Sequence, residues 1–211
     1  MELVHHLAER PDLDQLVERD LHPVPVLEVG DQLEDLGGKL INVRITGQVP
    51  APVVAAGPVP VRIGEPIAET RLTAHDGTAL VLGPAQTERV ALTFIYTRCP
   101  QPEFCPAMIS RLQALQQALG EAEGVRIVAV TLDPTFDTPE VLSAYAKVVG
   151  AGARWSFARS DDLEALAMRA GLSVMKGEGT EIAHGLRLLV LDRGGTLVER
   201  YDDARFPIDR V

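Results

Sequence analysis

The sequence contains few of the residues on which several classes of protein depend. Only two cysteines, Cys99 and Cys105, occur among its 211 residues. They are too few for a scaffold of several disulfides or for a zinc site with four thiolate ligands. Basic residues number 20 against 30 acidic ones, so the chain lacks the positive excess by which proteins bind nucleic acids or anionic lipids. These absences direct attention to the two thiols, which we expect to act as a pair.

Long apolar runs are also lacking. The best of them, residues 90–96 (VALTFIY), has the length of a strand and not of a membrane span. The first residues are polar and acidic, without the basic start and apolar centre of a signal peptide. From the sequence as given, we expect neither a membrane segment nor an export signal.

The composition predicts two parts joined by a linker. Residues 49–62 are rich in Pro, Ala and Val, which favours an extended, semi-rigid segment. Residues 1–48 form a small region of uncertain fold, with weak helical character at 12–20 and a strand-like alternation at 39–46. We expect this region to be β-rich. The main domain would be residues 63–211.

Buried strands alternate with amphipathic helices in the main domain. Strands are predicted at residues 78–82, 90–96, 125–132, 155–157, 186–191 and 196–201. Helices are predicted at 106–119, from Asp137 or Thr138 to 149, and from Ser160 to 170. This order favours an α/β protein with a thioredoxin-like fold. The chain ends where a closing helix would begin, so we expect that helix to be missing.

The two cysteines lie in the loop between a buried strand and the first helix, where α/β sheets place their sites. Cys105 falls at the predicted N-cap with Pro106 at the first helical position, so the helix dipole is expected to favour its thiolate. A functional thiol pair is the favoured interpretation. Two inert buried cysteines, or a purely structural disulfide, are the alternatives.

A thiol pair with an imidazole would suit copper, because thiolates prefer Cu(I) and a third nitrogen donor also tolerates Cu(II). Of the five histidines, His184 is the candidate, since it follows a Gly-rich segment and is predicted to open a strand near the same sheet edge. The other four are expected to be solvated; they are His5, His6, His22 and His75.

Three segments together resemble the Sco/SenC family of copper-binding, thioredoxin-like proteins. They are TFIYTRCPQPEFCPAM, VTLDPTFDTPEVLSAYAKVVGA and HGLRLLVLDRGGTLVERY, and the similarity covers about residues 63–201. The resemblance implies copper ligation by Cys99, Cys105 and His184. It also implies a metallochaperone role in assembly of the Cu(A) centre of cytochrome c oxidase, with an oxidase subunit as partner and a location in the cell envelope.

Two details of the resemblance stand apart. Asp133 and Asp137 match a family acidic motif near the site, although Asp137 is more simply a helix cap. Five residues separate the cysteines, whereas most family members have three, so this is a long-spaced variant. The wider loop is expected to alter copper affinity or redox potential.

Other functions use the same residues without delivering metal. A thiol-disulfide oxidoreductase would use Cys99 and Cys105 as its catalytic pair, and a peroxidase version would add Arg98. A sensor would bind copper without transferring it. Whether the chain is an enzyme stays open, with a non-enzymatic metallochaperone favoured. His184 discriminates, because a reductase has no obligatory use for it.

Overall fold

The computed structural model describes residues 24–29, 43–49, 59–120, 124–177 and 179–211. The chain divides into two units, Met1–Ala55 and Ala56–Val211. The predicted helix at 12–20 and three of the histidines (His5, His6 and His22) lie outside the described residues.

In the first unit, the described residues form an antiparallel pair of strands. Strand β1 (Val24–Val29) pairs with β2 (Val43–Val49), and the register shifts between Val26 and Leu27. The predicted strand at 39–46 therefore lies a few residues further along the chain. Its partner β1 has no matching sequence prediction, because Pro25 interrupts the pattern.

A seven-stranded mixed sheet forms the centre of the second unit. In chain order its strands are β3 (Thr70–Ala74), β4 (Ala79–Leu82), β5 (Arg89–Ile95), β6 (Val125–Thr131), β7 (Trp155–Ser160), β10 (Leu188–Leu191) and β11 (Leu197–Tyr201). They lie side by side in the order β11-β10-β5-β6-β7-β3-β4. The central strands β5, β6 and β7 are parallel, and the outer pairings are antiparallel. This topology bears out the predicted thioredoxin-like α/β fold.

Three α-helices accompany the sheet in the described part of the chain. They are α1 (Cys105–Leu119), α2 (Pro139–Val149) and α3 (Leu163–Arg169), and a 3-10 turn follows at Ile208–Arg210. Helix α1 buries an apolar stripe that includes Met108 and Leu112, both 0% exposed. None of these helices has the length and apolar character that crossing a bilayer would require.

A separate two-stranded hairpin stands outside the large sheet. Strand β8 (Val174–Lys176) pairs with β9 (Ile182–His184) in antiparallel fashion. The sequence pattern predicts neither strand, because each is only three residues long and the intervening segment is rich in glycine. His184, predicted to open the following strand, lies instead at the end of β9, and the next strand begins at Leu188. This hairpin matters because it carries His184.

The structure corrects one predicted helix cap and chooses between the two candidates for another. Strand β7 continues to Ser160, which pairs with Leu72 of β3, so the helix that follows begins later and is capped by Asp162. Helix α2 is capped by Thr138, whose hydroxyl accepts from the Val141 N–H. Asp137 is therefore not the cap.

Candidate functional site

The cysteines lie at the crossing from β5 to α1, at the carboxyl end of a central parallel strand. Cys105 is buried, whereas Cys99 is half-buried, and both thiols are free. A turn brings the chain back after β5, because the Cys99 N–H donates to the Tyr96 carbonyl over 3.3 Å. Within the loop, the Phe104 N–H donates to the Gln101 carbonyl over 3.2 Å.

The environment of Cys105 differs from the expectation. Phe104 is the N-cap of α1 and Cys105 is its first residue, so the helix begins one residue earlier than predicted. Burial, with a smaller contribution from the adjacent Cys99 side chain, raises the pKa of the Cys105 thiol to about 12. The predicted preference for thiolate is therefore wrong, because loss of solvation outweighs the helix dipole.

His184 lies at the end of β9 and faces the buried thiol. Its Nε2 is 3.8 Å from Cys105 Sγ, and its Nδ1 is 2.8 Å from the Gly185 carbonyl oxygen. A carbonyl can only accept, so Nδ1–H is the donor and Nε2 of the neutral ring keeps its lone pair towards the sulfur. Burial lowers the pKa of His184, which favours this neutral form, the form that binds metals.

A cleft of about 170 Å³ opens beside these groups. One wall comes from the cysteine loop and the other from the β8–β9 hairpin. The lining residues are Tyr96, Cys99, Gln101, Phe104, Glu181, Ile182, Ala183 and His184. The Tyr96 and His184 rings meet edge to face at 5.7 Å between centroids. The cleft therefore gives Cys99 and His184 a common opening.

The candidate ligands are brought together only in part. Cys105 and His184 face each other directly, and Cys99 lies close enough to Cys105 to influence its pKa. Within the described ranges, no three His, Cys, Asp or Glu side chains are gathered into a closed cluster for a metal ion. The chemistry of the donor set, two thiols and one neutral imidazole, nevertheless fits a soft metal ion.

The two acidic residues of the second segment hold the cysteine loop. Asp137 is fully buried and accepts hydrogen bonds from the Thr97 hydroxyl and, over 3.2 Å, from the Thr97 N–H. Asp133 pairs with Arg98 at 2.6 Å. Asp137 is thus a buried anchor and not the predicted helix cap. Sequence reasoning missed Thr97, whose role depends on a partner 40 positions away.

Arg187 fastens the base of the hairpin that carries His184. Its guanidinium donates to the Gly171 carbonyl over 2.7 Å and pairs with Asp202 at 2.5 Å. Its own carbonyl accepts from the Thr93 hydroxyl on β5 over 2.7 Å. Arg187 therefore ties the two ends of the hairpin segment to each other and to β5, which supports the position of His184 opposite Cys105.

His75 lies away from this site and is not the solvated side chain that we expected. It is half-buried, and its Nδ1 accepts a hydrogen bond from the Phe157 N–H over 3.2 Å. Its ring also packs edge to face on the Phe157 ring. His75 therefore joins the turn after β3 to β7, which is a structural role.

The fold and the site define a thioredoxin-like domain with a cysteine pair at the β–α crossing and a histidine facing it. Residues 66–210 match the family model described as SCO1/SenC. The chain belongs to the SCO1/SenC family.

Individual proteins resemble the chain in sequence or in fold. A Stutzerimonas stutzeri protein named "Putative copper-binding protein" is 29% identical over 112 residues, which are 50% of this chain and 54% of that protein. The chain thus matches about half the length of this curated relative. A SCO1/SenC family lipoprotein from Bacillus anthracis str. Ames has a TM-score of 0.62 at 21% identity, covering 70% of this chain and 90% of that one. Arabidopsis thaliana ScoI with copper bound has a TM-score of 0.56 at 22% identity, covering 71% of this chain and 92% of that one.

Proposed function

We propose that this chain binds copper through Cys99, Cys105 and His184 and delivers it to the Cu(A) centre of cytochrome c oxidase during assembly. The observation that carries the proposal is the 3.8 Å approach of Cys105 Sγ to His184 Nε2. Membership of the SCO1/SenC family supports it. So does the copper bound to a relative of the same fold.

Copper binding at this site is coupled to proton release. The Cys105 thiol, whose pKa burial raises to about 12, must lose its proton to act as a ligand. A bound cation offsets the burial of the thiolate charge and so lowers this cost. The His184 imidazole needs no deprotonation, because its Nδ1–H is engaged with Gly185 and Nε2 is already free.

Transfer to the acceptor begins at Cys99. This sulfur is half-buried beside the cleft, whereas Cys105 lies beneath it. A thiolate of the apoprotein that enters the cleft can replace Cys99 first, and the inner ligands then follow by exchange. Because Cys99 is the more accessible of the two cysteines, its sulfur is the first ligand to leave.

The cellular setting is part of the same proposal. The acceptor is an apoprotein such as an oxidase subunit, and the location is the cell envelope. A relative of the same fold is described as a lipoprotein, which supports that location. In this arrangement residues 63–211 form the copper-binding domain, and residues 49–62 link it to the small region 1–48.

A copper titration tests the proposal. We expect reduced protein to take up one equivalent of Cu(II) and to develop a sulfur-to-copper charge-transfer band. His184→Ala should weaken Cu(II) binding strongly while leaving the disulfide reducible. His75→Ala is the matched control, because it removes a half-buried imidazole away from the cleft. Unchanged copper affinity in His184→Ala would refute the ligand assignment.

A thiol-disulfide oxidoreductase is the second candidate, favoured by the unequal exposure of two free thiols. Cys99 would attack a partner's disulfide, and Cys105 would resolve the mixed disulfide. The partner gains two electrons and two protons, and Cys99 and Cys105 become a disulfide. If no charge-transfer band appears at one equivalent of copper and the protein reduces a model disulfide, this function replaces the first.

A further inference from the structure

We propose that Thr97 is a positioning residue that fixes Cys99 relative to Cys105, acting through the buried carboxylate of Asp137. The inference rests on the proposed function only in taking these two cysteines as the working pair. It assigns a separate task to a side chain that need not touch copper or a partner's disulfide.

The carboxylate of Asp137 joins the ends of two neighbouring strands. One oxygen accepts from the Thr97 hydroxyl just after β5. The other accepts from the Thr131 hydroxyl, at the end of β6, over 2.5 Å and from the Thr97 N–H over 3.2 Å. Thr131 is in turn held by the Asp133 N–H, which donates to its hydroxyl over 2.9 Å. Asp137 is 0% exposed, so loss of the Thr97 hydroxyl would leave a buried carboxylate oxygen without its hydrogen bond.

The anchor acts on Cys99 because only one residue separates the cysteine from Thr97. That residue, Arg98, is held by the same segment: it pairs with Asp133 at 2.6 Å and lies 3.7 Å from the centroid of the Phe136 ring. Two consecutive residues before Cys99 are thus fixed to the loop between β6 and α2. Together with the bond from the Cys99 N–H to the Tyr96 carbonyl, this loop supports the chain that carries the outer sulfur.

The inner sulfur is held in another way. Cys105 is the first residue of α1, whose buried side chains include Met108 and Leu112. Packing of this helix against the core therefore sets the place of Cys105. The loop between the cysteines shows mainly local bonds, such as that from the Phe104 N–H to the Gln101 carbonyl. The relative placement of the two sulfurs thus depends on the Asp137 anchor and on the seating of α1.

A purely structural role for the contact between Thr97 and Asp137 would give a different experimental result. Helix α2 is capped by Thr138, so Asp137 is not needed to start that helix. If Thr97 only contributed stability, its loss would lower the melting temperature without changing the dithiol–disulfide equilibrium of Cys99 and Cys105. Thr131 provides the comparison, because its hydroxyl binds the same carboxylate from outside the cysteine loop.

The experiment measures the dithiol–disulfide equilibrium of the full chain in glutathione buffers without copper. The protein disulfide takes two electrons and two protons from two glutathione molecules, giving glutathione disulfide and the dithiol. We expect Thr97→Val to shift this equilibrium about fivefold towards the dithiol, because a freer Cys99 meets Cys105 less often. Thr97→Ser should restore it to within about twofold. Thr131→Val should lower the melting temperature but leave the equilibrium within about twofold of wild type.

Two outcomes overturn the inference. One is an equilibrium for Thr97→Val within about twofold of wild type. The other is an equal shift in Thr131→Val, which would indicate general destabilisation. If Thr97→Val does not fold, Thr97→Ala supplies the same measurement without the added methyl group. Because no copper is present, the result does not depend on whether the chain is a copper protein, which the titration of wild-type protein decides separately.

Discussion

Cys105 Sγ and His184 Nε2 lie 3.8 Å apart, although 79 positions separate the two residues in the chain. The thiol has a proton and Nε2 has a lone pair, so the contact places an S–H donor opposite a nitrogen acceptor. A metal ion that replaces this proton would find the sulfur and nitrogen ligand atoms already facing each other. The following predictions test this arrangement and its supports.

The two cysteines should differ strongly in reactivity. Cys105 is 1% exposed and its pKa is raised to about 12, whereas Cys99 borders the cleft. We expect iodoacetamide at neutral pH to modify Cys99 at least about tenfold faster than Cys105. Peptide mapping by mass spectrometry measures both rates in one sample. Equal rates in the folded protein would contradict the described burial, and denatured protein provides the control.

Loss of Arg187 should weaken copper binding from a distance. Arg187→Met removes the bond to Gly171 and the pair with Asp202 at the base of the β8–β9 hairpin. We expect about 2 kcal/mol of lost stability and a lower Cu(II) affinity, because His184 is less firmly placed. Arg200→Met is the control, since Arg200 reaches the same Asp202 only at 4.0 Å and is more exposed. Chelator competition and thermal unfolding measure the two effects.

Glu88 should make stability depend on pH in the acid range. Burial raises its pKa, but hydrogen bonds and charges from Arg126 and Arg154 outweigh this and lower the pKa from 4.5. The stabilisation is therefore complete above the unfolded value and is lost as the pH falls through the lower folded value. We expect Glu88→Gln to cost about 1 kcal/mol at pH 7 and less at pH 3.

The control for this effect is Glu69→Gln. Glu69 and Arg71 form an exposed pair at 3.8 Å, which should contribute little at either pH. Urea unfolding at both pH values gives the free energies. A cost for Glu88→Gln that stays the same at pH 3 would show that the loss is not electrostatic.

Thr138 should contribute to stability as the cap of α2. Its hydroxyl accepts from the Val141 N–H, and Thr138→Ala should cost about 1 kcal/mol. Thr135→Ala, an exposed change in the same loop, should leave the free energy of unfolding almost unchanged. If the two variants unfold alike, the cap assignment is wrong.

The central strands and first helix were predictable because their apolar pattern is local. Strand β5 is buried along nearly its whole length, and α1 shows apolar residues at helical spacing. The position of Cys99 and Cys105 at the crossing between them follows from this order. The short β3, with its alternating burial, and the three-residue strands β8 and β9 have too little pattern to be recognised alone.

The contacts within the site could not be read from local sequence. Asp137 looks like a cap because it precedes a helix, but its partners Thr97 and Thr131 lie just after β5 and at the end of β6. The dipole argument for Cys105 fails because burial, which only the folded chain reveals, dominates its pKa. The expectation that His75 is solvated is wrong for a similar reason, since its role as a hydrogen-bond acceptor depends on Phe157 in a distant strand.

The different supports of the two cysteines have a consequence for the length of the loop between them. Cys99 is held through the residues that follow β5, and Cys105 is held by its place at the start of α1. Neither support depends on residues 100–104. Extra residues can therefore be accommodated in this stretch without moving Cys99 or Cys105. A change in the length of this stretch would therefore act on what can enter the cleft, because Gln101 and Phe104 line it.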